Sequence, residues 1–417
     1  MNVGSEMQEL AAKAKQASYK MNSADAQAKR TMLMTLAALL QEKASEIDCA
    51  NAQDLEAAKA RNLDAPRLDR LTIRPAVLED MIAACKHVAD LPDPIGTLET
   101  QWQRPNGIRV GRMRVPLGVI AMIYESRPNV TIDAAILCLK AGNAVILRGG
   151  SEAIHSNQKL AELLRLALRH SGLPEDAVQF VNNTDHACVR ELCRLDQYID
   201  VMIPRGGENL VRTVTEQATM PVLKHFKGVC HAYIDAGCDL SSALEIVYNG
   251  KVQRPGVCNA LECLLVHKDV CNDFLPMVAE RLSGVEFRAC PASLPLLGER
   301  ARAQKAEDLG CEFHDYILAV SVVESFEQAL AHIARYGSQH TEIICTRDLE
   351  HAHRFVREVD ASMVGVNVST RFNDGGQLGL GAEIGISTSK LHAYGPMGVR
   401  ELTTTKFVVL GEGQVRQ

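Results

Sequence analysis

The spacing of apolar positions divides the chain into a helical N-terminal part and a part where strands and helices alternate. Up to about residue 95, apolar residues recur every three or four positions, as at Leu33, Leu36 and Leu40. This is the period of a helix with one buried face. Ser23 is predicted to cap that helix, and Pro75 to begin another, since proline is favoured in a first turn.

The pattern changes between residues 97 and 114. Asn106–Gly107 lies between short runs that contain Trp102 and Val110, and Asn-Gly in this setting is a strong β-hairpin signal. Near the C-terminus, Thr403–Leu410 has the composition of one more strand. We expect this strand to pair with the hairpin and the sheet to reach a neighbouring subunit, because a two-stranded ribbon alone is marginally stable.

From Val115 onward, short apolar runs alternate with helical segments. The predicted strands are Val115–Ile123, Ala144–Leu147, Val178–Val181, Ile199–Ile203, Ala260–His267, Ile317–Val323, Glu342–Thr346 and Met363–Val368. Helices are predicted at Thr131–Lys140, Ser156–His170 and Asp185–Arg194. Strands that alternate with helices indicate parallel βαβ units with right-handed crossovers. The sequence therefore predicts an α/β fold with two parallel-sheet domains.

Composition narrows the function classes. With 417 residues, of which 47% are hydrophobic and 23% charged, the chain has the profile of a globular protein of two or three domains. A net charge of -6 argues against nucleic-acid and anionic-membrane partners. Thirteen cysteines without a secretory signal favour reduced thiols in the cytoplasm. No Cys-x-x-Cys pair occurs, so we expect no structural zinc and no metal.

Two glycine-centred turns follow predicted strands. One is Arg148-Gly149-Gly150-Ser151, and the other is Pro204-Arg205-Gly206-Gly207. Ligands of parallel sheets bind beyond the carboxyl ends of strands, where glycine admits the ligand, helix N-termini favour anions and arginine donates to phosphate. Two such turns in one sheet favour a phosphate-bearing ligand. Ordinary strand-to-helix turns are the alternative, and the GxGxxG fingerprint is absent.

Cys258 differs from the other cysteines in its context. It lies in the loop Gln253–Asn259, just before an apolar strand, with Arg254, Pro255 and Gly256 close in sequence. Such a loop can hold a thiol exposed near a basic group, where the thiolate is favoured. The alternative is a packed small hydrophobe, which is the usual state of a cysteine without a disulfide.

Six longer segments carry a more specific signal. They are Ile123–Thr131 (IYESRPNVT), Gly142–Gly150 (GNAVILRGG), Ile203–Gly207 (IPRGG), Ala329–Ile343 (ALAHIARYGSQHTEI), Thr370–Glu383 (TRFNDGGQLGLGAE) and Ser387–Gly398 (STSKLHAYGPMG). In order and spacing, from about Ala14 to Phe407, the chain resembles the gamma-glutamyl phosphate reductases. This family, also called glutamate-5-semialdehyde dehydrogenases, belongs to the aldehyde dehydrogenase superfamily.

The resemblance implies an aldehyde dehydrogenase-like fold with two parallel-sheet α/β domains and a small β oligomerisation arm. Residues 1–96 and 116–229 would form the cofactor-binding domain, and residues 230–369 the catalytic domain. Residues 97–115 and 388–417 would form the arm. Residues 370–387 would return to the cofactor and active-site region.

The resemblance also assigns roles to residues. Cys258 would be the nucleophile, with Asn259 beside it as a candidate catalytic group. The cofactor-binding residues would be Arg148, Gly149, Gly150, Ser151, Pro204, Arg205, Gly206, Gly207 and Glu312. The substrate-binding candidates are Ser126, Arg127 and Arg371.

The implied activity is NADPH-dependent reduction of L-glutamate 5-phosphate to L-glutamate 5-semialdehyde through a Cys258 thioester, in proline biosynthesis. Ser126 stands where oxidising relatives have an oxyanion-hole Asn, and Leu223-Lys224-His225 lacks their water-activating Glu. Both departures favour an acyl-phosphate reductase over one alternative, an NAD-dependent aldehyde oxidiser. The other alternative, an inactive scaffold of the same fold, is disfavoured because the Cys258 loop is intact. We expect a homo-oligomer, with glutamate 5-kinase as a transient partner because the acyl phosphate is labile.

Overall fold

The computed structural model describes residues 2–416 apart from the side chain of Pro66. The α-helices in this range are α1 (Val3–Met21), α2 (Ala26–Glu42), α3 (Ala44–Ala60), α4 (Ala65–Leu71), α5 (Pro75–Asp90), α6 (Asn129–Lys140), α7 (Ile154–His170), α8 (Ala187–Leu192), α9 (Glu208–Gln217), α10 (Leu240–Val252), α11 (Lys268–Arg281), α12 (Phe326–Tyr336) and α13 (Leu349–Glu358). The strands are β1 (Leu98–Gln103), β2 (Arg109–Pro116), β3 (Val119–Tyr124), β4 (Ala144–Arg148), β5 (Val178–Phe180), β6 (Val201–Arg205), β7 (Cys230–Ile234), β8 (Leu261–His267), β9 (Glu286–Ala289), β10 (Ala301–Ala303), β11 (Ile317–Val323), β12 (Thr341–Cys345), β13 (Met363–Val366), β14 (Ile386–Ser387), β15 (Gly395–Pro396) and β16 (Thr403–Leu410).

These elements form two compact units. The first unit contains Met1–Lys224, Leu380–Gly385 and Met397–Gln417, and the second unit contains His225–Gly379 and Ile386–Pro396. Each unit has its own parallel sheet, as the alternation of strands and helices predicts. The chain crosses between the units more than once, so neither unit is a single continuous segment.

The parallel sheet of the first unit has four strands in the order β5-β4-β3-β6. Every residue of β3 and β4 is buried, because helices that cover both faces of a parallel sheet leave no polar face. In the N-terminal helical part, α5 begins at Pro75 as predicted. The cap predicted at Ser23 is wrong: Asp25 caps α2 by accepting from the Ala28 amide, whereas the Ser23 hydroxyl donates back to the Lys20 carbonyl.

One apolar run that the sequence presents as a single strand is divided in the structure. The run Val115–Ile123 contains the end of β2 and most of β3, separated at Gly118, whose φ of 125° suits glycine. The amide of Val119 donates to the Asp200 carboxylate at 2.7 Å, which fixes the start of β3. Apolar content alone gives no sign of the break.

Outside the parallel sheet, the first unit carries an antiparallel sheet with the order β1-β2-β16. The hairpin predicted at Asn106–Gly107 is confirmed, with Trp102 opposite Val110. The predicted pairing with the C-terminal strand is also confirmed, since β16 pairs with β2 from Thr403 to Leu410. Trp102, Phe407 and Val409 are exposed on this sheet.

The second unit is built on seven parallel strands in the order β10-β9-β11-β8-β7-β12-β13. Strand β7 is absent from the sequence prediction because His231 and Tyr233 interrupt its short apolar run, although all five of its residues are buried. Phe274 and Phe287 lie in one core cluster of this unit, and Tyr233 and Phe326 in another. The short strands β14 and β15 pair separately.

Two further observations concern the environment of the chain. None of the helices found within residues 2–416 combines the length and the apolar character needed to cross a membrane. No two of the thirteen cysteines, all of which fall in that range, form a disulfide.

Candidate active site

Cys258 lies in the loop that connects α10 to β8 in the second unit. It is partly exposed, whereas Cys230 and Cys263 nearby in the fold are buried. The Cys230 thiol is 3.2 Å from the Cys258 carbonyl oxygen, to which it can donate. A Cβ at Gly228 would overlap the same carbonyl, so the backbone can pass this close only at glycine. These two contacts therefore fix the position of the backbone carbonyl of the predicted nucleophile.

The Arg371 guanidinium interacts electrostatically with the Cys258 side chain. Its Nε donates to Gln253 Oε1 at 2.9 Å, which ties Arg371 to the start of the Cys258 loop. Burial lowers the pKa of the Arg371 guanidinium, while Asp374 and the Cys258 thiolate act to raise it. Arginine stays protonated at neutral pH, so its positive charge favours the thiolate form of Cys258.

Asn259 is buried and contacts the segment that carries Arg371. Its Nδ2 donates to the Asn373 carbonyl at 2.9 Å, and Asn373 Nδ2 donates to Thr341 Oγ1 at 2.8 Å. The Asn259 Oδ1 has no hydrogen-bond partner in the described part of the chain. This geometry links the nucleophile loop to the end of the sheet. A direct catalytic role for Asn259 stays a prediction.

Glu312 lies in the second unit, in the segment before β11. Its carboxylate is 3.3 Å from His314 Nε2 and the side chain is 14% exposed. The other predicted cofactor-binding residues all lie in the first unit. The structure therefore brings those eight residues into one unit and places Glu312 in the unit of Cys258.

The first unit has a cavity of about 720 Å³ beyond the carboxyl ends of β3 and β4. This is the position where parallel sheets bind ligands. Its wall includes the predicted residues Ser126, Arg148, Gly150 and Ser151, together with Arg61, Arg67, Arg70, Arg190 and Glu152. Sequence reasoning missed Arg61, Arg67 and Arg70, since charges in a helical stretch are usually a solvated face.

Ser126 directs both of its donors to Glu152. Its backbone amide is 2.8 Å and its hydroxyl 2.5 Å from Glu152 Oε1. Ser126 has a positive φ of 40°, in a tight turn where the Arg127 amide donates to the Glu125 carbonyl at 2.6 Å. The substrate-binding roles of Ser126 and Arg127 stay predictions, and the structure gives Ser126 a contact that the sequence did not indicate.

Packing within the protein accounts for some of the glycines in the two predicted phosphate turns. A side chain at Gly149 would collide with Asn157 of α7. At the second turn, the Gly207 amide donates to Glu125 Oε2 at 2.9 Å. Because Glu125 supplies an anion at the N-terminus of α9, that helix end already has a negative partner. Pro204 and Arg205 end β6 beside β3.

A nicotinamide dinucleotide fits the donor set of the first unit's cavity. Five arginines and the Ser151 hydroxyl line its wall, against the two carboxylates Glu125 and Glu152. Such a wall suits a phosphate-bearing ligand, because arginine forms bidentate hydrogen bonds with phosphate. Because the Glu125 carboxylate already occupies the α9 N-terminus, the Gly206–Gly207 turn is a poorer position for a phosphate group. The arginine-rich wall is the better one.

Comparison with known proteins defines the class. The model of the aldehyde dehydrogenase family matches residues 3–290. The fold is also similar to that of an acetylating aldehyde dehydrogenase from Geobacillus thermoglucosidasius, with a TM-score of 0.71, 16% identity, and 100% of this chain and 98% of that chain covered. Two parallel-sheet α/β units with a small antiparallel sheet are thus an aldehyde dehydrogenase fold.

More similar relatives define the family within that class. The chain is 67% identical to a gamma-glutamyl phosphate reductase from Desulfovibrio desulfuricans, over 100% of both chains. The crystal structure of gamma-glutamyl phosphate reductase from Thermotoga maritima is similar with a TM-score of 0.96 and 44% identity, covering 99% of this chain and 100% of that one. The chain belongs to the gamma-glutamyl phosphate reductases of the aldehyde dehydrogenase family.

Proposed function

We propose that the protein reduces L-glutamate 5-phosphate to L-glutamate 5-semialdehyde with release of phosphate, a cytoplasmic step of proline biosynthesis, with NADPH as reductant. The observation that carries this proposal is the 67% identity over the full length to a gamma-glutamyl phosphate reductase. The partly exposed Cys258 beside the Arg371 cation supplies the nucleophile that such a reaction needs.

The first chemical step belongs to Cys258. Its thiolate attacks the acyl carbon, the carbon–oxygen bond to phosphate breaks, and phosphate leaves with the electron pair. The product is a thioester on Cys258, so one difficult step becomes two easier ones. We assign Arg371 to stabilising the thiolate and to binding an anionic group of the substrate, because its guanidinium interacts electrostatically with Cys258.

Reduction of the thioester completes the reaction. A bound reduced nicotinamide supplies the hydride to the thioester carbonyl carbon. The oxygen that then becomes negative needs a fixed donor, and we assign the Cys258 amide to this role. Gly228 and Cys230 contact the carbonyl of the same residue, which belongs to the next peptide plane, shared with Asn259. The Cys258 sulfur leaves as the aldehyde forms.

We infer the preference for NADP over NAD from the residues that line the cavity of the first unit. NADP carries an additional phosphate on the adenosine ribose, and donors rather than carboxylates must meet it. Arg148 and Ser151 lie on the wall near Arg61, Arg67 and Arg70, while Glu152 is engaged by Ser126. We assign these donors to the phosphate-bearing end of NADP. We place the Pro204–Gly207 turn close to the same end of the cofactor. Glu312 remains a candidate contact of the nicotinamide ribose.

The reverse reaction gives the most direct test of the activity. With glutamate semialdehyde and NADP, reduction of NADP should require inorganic phosphate, and a Cys258→Ser variant should be inactive. Phosphate-independent oxidation would instead support the aldehyde-oxidising alternative. Absence of any turnover, together with an unreactive Cys258 thiol, would support the inactive scaffold.

The assembly is part of the same proposal. We assign β1, β2 and β16 to an oligomerisation arm, because Trp102, Phe407 and Val409 are exposed apolar side chains on one small sheet. A homo-oligomer would cover them. Glutamate 5-kinase remains a proposed transient partner, since it would supply the labile acyl phosphate; co-sedimentation of the two enzymes tests this.

A further inference from the structure

Three residues with metal-binding side chains meet in the second unit, outside the groups assigned to the reaction. His231 on β7 and Cys263 on the neighbouring β8 are cross-strand partners, and His332 lies on α12. One ligand atom from each, an imidazole nitrogen or the sulfur, lies within 4.8 Å of the others. Imidazole and thiolate are the ligands that zinc and similar divalent cations prefer.

The distances are close to those of a coordinated ion. Zinc–nitrogen and zinc–sulfur bond lengths place tetrahedral ligand atoms about 3.4–3.6 Å apart. Cys263 Sγ is 3.7 Å from His332 Nε2, and the rings of His231 and His332 have their centres 5.6 Å apart. Small side-chain rotations therefore suffice to bring three ligand atoms around one ion.

Glu342 orients His231 in the way that metal-binding histidines are usually oriented. His231 is directly opposite Glu342 on β12, and its Nδ1 lies 2.9 Å from Glu342 Oε2. The backbone amide of His231 donates to the same oxygen at 3.0 Å. A histidine that binds a metal commonly donates its other ring N–H to a carboxylate, which fixes the ring and its tautomer.

The remaining ring nitrogen of His231 is left to Cys263, whose thiol interacts electrostatically with His231. His231 Nε2 is fully buried and makes no hydrogen bond within the part of the chain that the structure describes. A buried polar atom without a hydrogen bond is costly. Because Nδ1 faces Glu342, Nε2 is the ring atom left to face Cys263 and His332, where a cation would satisfy it.

Charge balance favours a divalent ion over a monovalent one. Metal binding takes Cys263 as a thiolate, and together with the Glu342 carboxylate this would place two negative charges in a buried setting. Cys263 is 2% exposed and Glu342 1%, so a net charge here is expensive. One divalent cation neutralises the pair. His332 is half-buried, which leaves a side for entry and for a water as fourth ligand.

We propose that His231, Cys263 and His332 bind one divalent cation of the zinc class, with Glu342 holding His231 in position. The site is separate from the nucleophile chemistry assigned to Cys258, and the proposal does not rest on the assigned reaction. Sequence patterns do not indicate this site, because its three ligands come from three distant segments rather than from a short motif.

Cobalt(II) is a suitable probe, since a cobalt–thiolate bond gives a near-ultraviolet charge-transfer band. The titration uses the full chain with Cys49→Ser and Cys258→Ser, so that the exposed Cys49 thiol and the partly exposed Cys258 thiol do not contribute. We expect one equivalent to bind with this band, and zinc to displace it. Adding Cys263→Ser should abolish the band and weaken binding at least tenfold. Cys345→Ser, which removes another buried thiol of the same sheet, should leave both unchanged.

A second variant separates loss of the site from loss of the fold. His332→Gln changes a half-buried helix residue and should fold, as judged by circular dichroism, yet bind cobalt at least tenfold more weakly. Zinc should raise the melting temperature of the parent protein and not that of His332→Gln, because binding to the native state alone stabilises it. Absence of the charge-transfer band in folded parent protein, or unchanged binding in folded His332→Gln, would overturn the proposal.

Discussion

Glu152 accepts two hydrogen bonds from Ser126, one from its amide at 2.8 Å and one from its hydroxyl at 2.5 Å. The two residues come from different strand ends, Ser126 after β3 and Glu152 after β4. The contact matters because Glu152 follows Ser151, the residue that we propose meets the cofactor ribose. With one oxygen of Glu152 engaged in this way, the carboxylate is drawn to the Ser126 turn.

We expect NADPH to be preferred over NADH by at least about tenfold in kcat/KM, which corresponds to about 1.4 kcal/mol of transition-state binding. Ser151→Glu should reduce or reverse the preference, because a carboxylate repels the ribose phosphate. Ser126→Ala should reduce it less, by removing one hydrogen bond to Glu152. Ser151→Ala controls for loss of the hydroxyl alone. Equal use of both cofactors by the parent protein would contradict the assignment.

Replacing the nucleophile should abolish activity without unfolding the chain. Cys258→Ser is expected to lower turnover by at least about a thousandfold, because a serine hydroxyl forms its anion far less readily than a thiol. Steady-state kinetics and a thermal melt measure the two effects. Cys49→Ser, at an exposed cysteine of the first unit, should leave turnover unchanged. Near-normal activity of Cys258→Ser would refute the assignment.

Arg371 should control the reactivity of Cys258. Removing its charge with Arg371→Gln is expected to lower the thiolate fraction at pH 7 and slow alkylation of Cys258 by iodoacetamide about three- to tenfold. The alkylated residue is identified by peptide mass spectrometry. Arg347→Gln is the control, since Arg347 is an exposed arginine of the same unit paired with Asp239. Equal alkylation rates of Cys258 in the parent protein and both variants would show that Arg371 does not control its reactivity.

The exposed apolar face of the arm should hold subunits together. A Phe407→Glu, Val409→Glu double variant places charges on that face, and deletion of residues 403–417 removes its strand. Both should shift the particle to monomer in sedimentation velocity. Lys406→Glu changes a charge at the neighbouring position, which points to the other side of the strand, and should leave the mass unchanged. An unaltered mass in the double variant would show that this face is not an interface.

Stability should depend on pH through Asp133 in α6. Burial raises its pKa to about 6, above the value near 3.9 of an unfolded aspartate. The folded state therefore holds the proton more tightly, and the stability this contributes is lost as pH rises through about 6.

The substitution Asp133→Asn removes the titrating carboxyl group, so the variant should not lose stability in this way as the pH rises. Because the two pKa values differ by about two units, we expect the variant to be more stable than the parent by about 3 kcal/mol at pH 8, with the gap closing toward pH 4. Urea unfolding at several pH values measures it. Asp196→Asn, at an exposed position, should give no such trend, and a pH-independent gap for Asp133→Asn would contradict the explanation.

Sequence patterns predicted the elements whose burial leaves a clear trace. Runs such as Ala144–Leu147 and Ile317–Val323 are continuous because parallel strands are covered on both faces. Strand β7 was missed because His231 is buried with Glu342 as its partner, and a buried histidine with a carboxylate partner looks polar in the sequence. The strand break at Gly118 was missed for a similar reason, since it depends on a contact with Asp200 from a distant segment.

The residues of the candidate active site were likewise only partly predictable from the sequence. The context of Cys258 singled it out, and the family resemblance supplied its role. Its supports, Gly228 and Cys230, carry no local signature because each acts on the Cys258 carbonyl from another strand region. Arg61 and Arg70 become candidate ligand contacts only when the fold places them on the cavity wall with Arg148. Such residues are defined by contacts between segments, which spacing along the chain does not encode.

The pairing of β16 with β2 also determines when the first unit can be completed during synthesis. Strand β16 leaves the ribosome long after β2, and the Asn143 side chain likewise waits for the Leu402 carbonyl, 259 residues later. At roughly 5–20 residues per second, this delay lasts on the order of ten seconds to a minute. During that time the hairpin presents an open strand edge on β2. Edges of this kind pair with other chains, so nascent chains on one polysome are most exposed to mispairing before β16 emerges.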